Sequence, residues 1–131
     1  MNEEIQSLLA KAHRSLDAAA VIIAAGFFEK VASEAYYAMF YAAKAMLLNA
    51  GKRLKQHKQV IRAFESLAKT SGKLKFYDSL AEAFKLRHFA TYETGLLADV
   101  PEERARVTLQ NATEFVTMAE QFLRGAGGNS E

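Results

Sequence analysis

Ala35-Tyr36-Tyr37-Ala38-Met39-Phe40-Tyr41-Ala42-Ala43-Lys44-Ala45 writes two different edges onto one helix. At about 100° per residue, Phe28, Ala32, Ala35, Met39, Ala42 and Met46 gather on one side, whereas Tyr37, Phe40, Tyr41, Lys44 and Leu48 gather roughly opposite. Alanines let another helix backbone approach closely, and tyrosines with a cation among them suit an interface that is partly polar. Such a helix is expected to sit between two partners, with Tyr37, Phe40, Tyr41 and Lys44 forming a dimer or partner face. The plainer alternative is a central core helix whose tyrosine hydroxyls find partners inside the same bundle.

Outward from this stretch the periodicity stays helical. Ile5, Leu8, Leu9, Ala12, Leu16, Ala19 and Ile23 recur at three and four residues and predict a first helix that stops near Gly26. The second then runs from about Phe28 to Asn49, where Asn49-Ala50-Gly51 can turn the chain. Val60, Ile61, Phe64, Leu67 and Ala68 predict a short third helix, closed by Thr70-Ser71-Gly72. A fourth follows from about Leu74, with Tyr77, Leu80, Ala81, Phe84 and His88 along one stripe, and it fades through Thr91 to Gly95 into a connection read as mobile. Pro101, followed by Glu102 and Glu103, opens the last helix, whose buried stripe is Ala105, Leu109, Ala112, Val116, Ala119 and Phe122. The expectation is an all-α, antiparallel up-and-down bundle of four long helices and one short one, as a single domain over residues 1–124 with a disordered tail at 125–131.

Composition narrows the chemistry. The 131 residues contain no cysteine, which excludes disulfides, thiolate metal sites and thiol catalysis. Apolar runs are broken by charges or glycine well before membrane-spanning length, and Met1-Asn2-Glu3-Glu4 lacks the basic start of a signal peptide, so a soluble, cytoplasmic protein without membrane contact is expected. The net charge of +2 is small but unevenly spread. No acidic residue occurs from Ala35 to Phe64, while Lys44, Lys52, Arg53, Lys55, Lys58 and Arg62 do, with His57 among them, so a local positive field suits a phosphate-bearing partner.

His13, His57 and His88 fall on three different predicted elements without acidic residues at zinc-ligand spacing, so no metal is expected. Both familiar glycine-rich nucleotide cradles are absent from the sequence, and no cofactor is expected. No nucleophile elbow supports a hydrolytic triad. Arg87, near the end of the fourth helix, is the charge best suited to clamp a phosphate or a carboxylate. Lys55, His57 and Lys58 would add local field, and Tyr92 could offer a stacking or hydroxyl contact.

The order Gly26-Phe27-Phe28, Ala32-Ser33-Glu34-Ala35-Tyr36-Tyr37-Ala38-Met39-Phe40-Tyr41-Ala42-Ala43, Gly51 to His57, Arg87-His88-Phe89-Ala90-Thr91-Tyr92 and Ala112-Thr113-Glu114-Phe115-Val116 resembles the HEPN family over nearly the whole chain. The resemblance implies two long antiparallel helices, a homodimer, and a minimal nucleotidyltransferase partner of the toxin-antitoxin kind. It also implies nucleotide or RNA ligands. Many members look like metal-independent ribonucleases with Arg, four to six residues, then His. From Arg87 those positions hold Tyr92, Glu93 and Thr94, and in the similar Arg-x-x-Ala-Asp-Tyr pattern the Asp position is Thr91. Three functions therefore compete. The first is a dimeric nucleotide- or RNA-associated, nucleotidyltransferase-partner module without the standard nuclease pair. The second is an active metal-independent endoribonuclease toxin using Arg87 with His57 or His88. The third is a purely structural homodimeric adaptor.

Overall fold

The computed structural model describes residues 1–92 and 99–129, with side chains described for 1–90 and 99–125. Five helices follow in order: α1 (Glu3–Ala24), α2 (Phe28–Asn49), α3 (His57–Ser71), α4 (Leu74–Tyr92) and α5 (Glu102–Asn129). No strand occurs among the described residues, and the fold is the expected all-α bundle. No described helix is long and apolar enough to cross a membrane.

The ends of the helices follow local chemistry. Asn2 caps α1 by accepting a hydrogen bond from the Ile5 amide at 2.8 Å, and Glu3 and Glu4 sit at the positive end of its dipole. Gly72 closes α3 in the left-handed region at φ 68°, a conformation that costs an L-residue with a side chain about 1–2 kcal/mol. The third helix is longer than its apolar pattern indicates, because His57, Lys58 and Gln59 form its first turn ahead of Val60. The connection expected to be mobile falls largely at 93–98, outside the described residues. The backbone of α5 continues to Asn129, within the segment expected as tail.

Helix α2 is the centre of the molecule and lies against all four other helices. Its alanines make this possible: Ala35, Ala38, Ala42, Ala43 and Ala45 are fully buried, so neighbouring backbones approach on several sides. Larger side chains fill the core between them, with Met39 and Met46 of α2, Phe64 of α3, Leu80 of α4 and Phe115 of α5 all buried. The two-edged division of α2 is accordingly only partial. Tyr37, Tyr41 and Lys44 are half-buried, but Phe40, reckoned to the outward edge, is 4% exposed because the His57 ring stacks over it. Phe40 belongs to the core.

In α4 the inward line also differs from the predicted stripe. Leu80 and Ala83 are buried and Arg87 is half-buried, whereas His88 is exposed. Arg87 lies two turns beyond Leu80, so the register that buries leucine carries a guanidinium in against α2.

Candidate functional site

Three elements converge where Arg87 meets α2. Tyr36 and Phe40 stand one turn apart on α2, as do Tyr37 and Tyr41, giving a shelf of rings with centroids 5.8 Å and 5.9 Å apart within each pair. His57, at the first turn of α3, stacks on Phe40 at 4.2 Å and 12° and meets the edge of Tyr37 at 5.8 Å. From α4, Phe84 packs on Tyr36 at 5.5 Å. The Arg87 guanidinium carbon lies 5.2 Å from the Tyr37 ring centroid and 5.6 Å from that of Tyr36, within cation–π range.

Hydrogen bonds fix this arrangement. Tyr36 is fully buried, so its hydroxyl needs a partner, and it meets His57 Nδ1 at 2.7 Å. The tautomer of neutral His57 sets the direction of this bond: Nδ1 accepts from the hydroxyl when the ring proton is on Nε2, and Nδ1–H donates to the phenol oxygen when it is on Nδ1. Burial raises the Tyr36 phenol well above its ordinary value, which keeps the hydroxyl protonated, although the Arg87 charge opposes part of that rise. The His57 imidazole moves the other way. Burial lowers its affinity for a proton, and the Arg87 and Lys44 charges lower it further, so it is neutral at physiological pH.

Arg87 Nη2 donates to the Tyr37 hydroxyl at 3.3 Å, while its Nε is buried and has no hydrogen-bond acceptor among the described residues. A buried guanidinium donor left unpaired is costly, and an acceptor-only oxyanion is the group that would satisfy it. Lys44 lies at the rim, with Nζ 5.7 Å from the Phe40 centroid. Arg87 and Lys44 thus bring two positive charges to one shelf of rings.

A HEPN domain profile matches residues 5–124 of this chain. The chain belongs to the HEPN family. A UPF0332 protein of Gloeobacter violaceus is 31% identical over 125 residues, covering 94% of this chain and 98% of that protein. A UPF0332 protein of Archaeoglobus fulgidus is 34% identical over 123 residues, covering 92% and 96%. A Methanocaldococcus jannaschii protein named "Putative toxin" is 31% identical over 127 residues, covering 95% and 92%.

Of the residues singled out from the sequence of this HEPN chain, Arg87, His57, Tyr37 and Lys44 come together, with Tyr41 beside them through its contact with Tyr37. Lys55 and Lys58 are both exposed, one on each side of His57 in the chain. His88 is exposed on α4, and the Tyr92 side chain lies outside the described residues. His13 is elsewhere, paired with Glu120 at 3.1 Å. Sequence reasoning missed Tyr36, Phe84 and Lys11, whose Nζ lies 5.7 Å from the Tyr41 centroid. Tyr36 was legible only as half of a Tyr-Tyr pair. Its burial, and so its demand for a partner, depends on where α3 begins.

Proposed function

We propose that this HEPN chain is a toxin-like, homodimeric module that holds phosphate groups of RNA or nucleotides at the Arg87–Tyr37–His57 shelf and works beside a minimal nucleotidyltransferase partner. The observation that carries the reading is the buried, unpaired Nε of Arg87 beside the Tyr37 hydroxyl and the His57 ring. Two Methanocaldococcus jannaschii relatives that carry the name "Putative toxin", aligned over 92% and 95% of this chain, support the toxin-like assignment. The half-buried edge of Tyr37, Tyr41 and Lys44 is the candidate dimer face, and Tyr41→Glu should yield a monomer in sedimentation.

The shelf holds two cations and so favours an anion. Tyr36 occupies His57 Nδ1, which leaves Nε2 as the ring nitrogen facing a ligand, a donor or an acceptor according to the tautomer. As an acid it would have to start as imidazolium, the form that burial, Arg87 and Lys44 all disfavour. Anisotropy titration with single-stranded RNA at low salt tests the reading. Arg87→Ala should weaken binding about tenfold and flatten the salt dependence by about one phosphate contact, and Arg87→Lys should restore only part of it. Unaltered affinity in Arg87→Ala would refute it.

One observation favours a second reading, a metal-independent ribonuclease. His57 is thirty positions before Arg87 in the chain, yet both rest on Tyr36 and Tyr37, so an imidazole does stand beside the arginine. That reading requires RNA cleavage in the presence of a chelator, lost in both Arg87→Ala and His57→Ala. RNA left intact by the wild type removes it.

A further inference from the structure

A second cationic feature lies beside the shelf without being part of it. The start of α1, the last turns of α2 and the loop at residues 50–56 enclose a groove of about 270 Å³. Its walls carry Lys11, Lys44, Lys52, Arg53 and Lys55. The lone carboxylate among its lining residues, Glu4, is already engaged by Arg53 in a two-pronged ion pair at 2.5 Å and 2.9 Å. That pair ties the loop to α1 and closes one side of the groove. The remaining cations share the groove with an apolar lining of Leu8, Leu47, Leu48, Leu54 and Val60.

We propose that this groove is a binding site for a nucleoside phosphate, with the base on the leucines and the phosphate between Lys52 and Lys55. Both halves of the groove constrain the ligand. An inorganic anion would leave the leucines unused, and a neutral apolar ligand would leave the lysines facing one another without compensation. The volume of about 270 Å³ falls just below the roughly 300–1,000 Å³ range of small-molecule pockets, which favours a single nucleotide over a longer body. Lys44 lines the groove and also stands over Phe40 at the edge of the Arg87 shelf, so the two cationic regions adjoin. The choice of a nucleoside phosphate rests on the phosphate-binding reading of that shelf; the groove itself does not. A free nucleotide and one unit of an RNA strand present the same chemistry here.

The full chain would be titrated by calorimetry with adenosine monophosphate, with adenosine and with inorganic phosphate. The nucleotide should bind about tenfold more tightly than either part alone. The double variant Lys52→Glu, Lys55→Glu should weaken nucleotide binding about tenfold or more, with its helical circular dichroism intact because both residues are exposed. Lys69→Glu, an exposed charge reversal outside the groove, should leave nucleotide binding within about twofold. A short single-stranded RNA that displaces the nucleotide assigns the groove to a strand, and RNA that binds alongside it assigns the groove to a free nucleotide; both outcomes support the site. Equal affinity for phosphate and nucleotide, unaltered binding in the double variant, or no nucleotide binding at millimolar concentration would overturn it. Nucleotide binding lost in Arg87→Ala but kept in the double variant would move the ligand to the shelf and refute the groove alone.

Discussion

Substituting Tyr36 by phenylalanine removes one oxygen atom from the interior and leaves the ring in place. The contacts of that ring with Phe84 at 5.5 Å, Tyr37 at 5.5 Å and Phe40 at 5.8 Å do not need the hydroxyl, so no cavity term enters. What is lost is the 2.7 Å bond to His57 Nδ1. A buried hydrogen bond contributes about 0.5–1.5 kcal/mol net, and leaving Nδ1 unpaired adds to that when water cannot reach it. His57 is half-buried, which limits the second part, and about 1.5 kcal/mol is expected. For a chain of this size that corresponds to about 5 °C in melting temperature.

The pH dependence makes the prediction specific. The His57 pKa is lowered on folding, so the unfolded chain takes up its proton first as pH falls. The stability associated with neutral His57 is therefore fully present above the ordinary histidine value of about 6.5 and is lost progressively below it. An imidazolium can only donate, so on protonation the contact runs from Nδ1–H to the Tyr36 oxygen. Melts of wild type and Tyr36→Phe followed by circular dichroism should differ by about 5 °C near pH 7.5, and wild type should lose stability as pH falls below about 6.5. Nitrogen-15 spectra should show one dominant tautomer of His57 in wild type and a mixture of tautomers in the variant. An unchanged melting temperature near neutrality together with an unchanged tautomer would refute the Tyr36–His57 bond.

Other substitutions test separate parts of the argument. Phe115→Ala empties the contact that Phe115 makes with Phe64 at 5.2 Å and Phe76 at 6.0 Å, and should cost about 3–5 kcal/mol in urea unfolding. Gly72→Ala forces a side chain into the left-handed cap of α3 and should cost about 1–2 kcal/mol by the same measurement. Lys44→Gln removes a positive charge that holds His57 neutral, so the His57 titration followed by NMR should move upward toward the ordinary value.

The architecture was legible because the apolar period is local information. Each helix carries its own stripe, and glycines mark the stops at Gly26 and Gly72, both of which adopt positive φ. The site was legible in part. Arg87, His57 and Tyr37 could be singled out by type, but their meeting depends on the α3 start and on the inward register of α4, which are set by packing between helices. Phe40 shows the limit most clearly. Angular reckoning along α2 places it with Tyr37 and Lys44, but α2 has neighbours on every side, so an edge opposite the alanines is still an inward edge wherever α3 covers it. Lys11 and Lys52 are far apart in sequence, and only the return of the α2–α3 loop toward α1, held by Arg53 and Glu4, makes them two walls of one groove.

The tautomer of His57 decides between binding and catalysis at the shelf. The Tyr36 hydroxyl is buried and meets Nδ1, so Nε2 is the ring nitrogen left to a ligand whichever way that bond runs. With Tyr36 donating, Nε2 carries a proton and joins Arg87 and Lys44 in holding an anion. With Nδ1–H donating to the phenol oxygen, Nε2 presents a lone pair beside Arg87, the arrangement that a base for a ribose hydroxyl requires. The two states predict different chemistry from the same geometry: a wild type with His57 protonated on Nε2 should bind RNA and leave it intact, and one protonated on Nδ1 should cleave it in the presence of a chelator. RNA cleavage by a protein whose nitrogen-15 spectra place the His57 proton on Nε2 would refute this link between tautomer and activity.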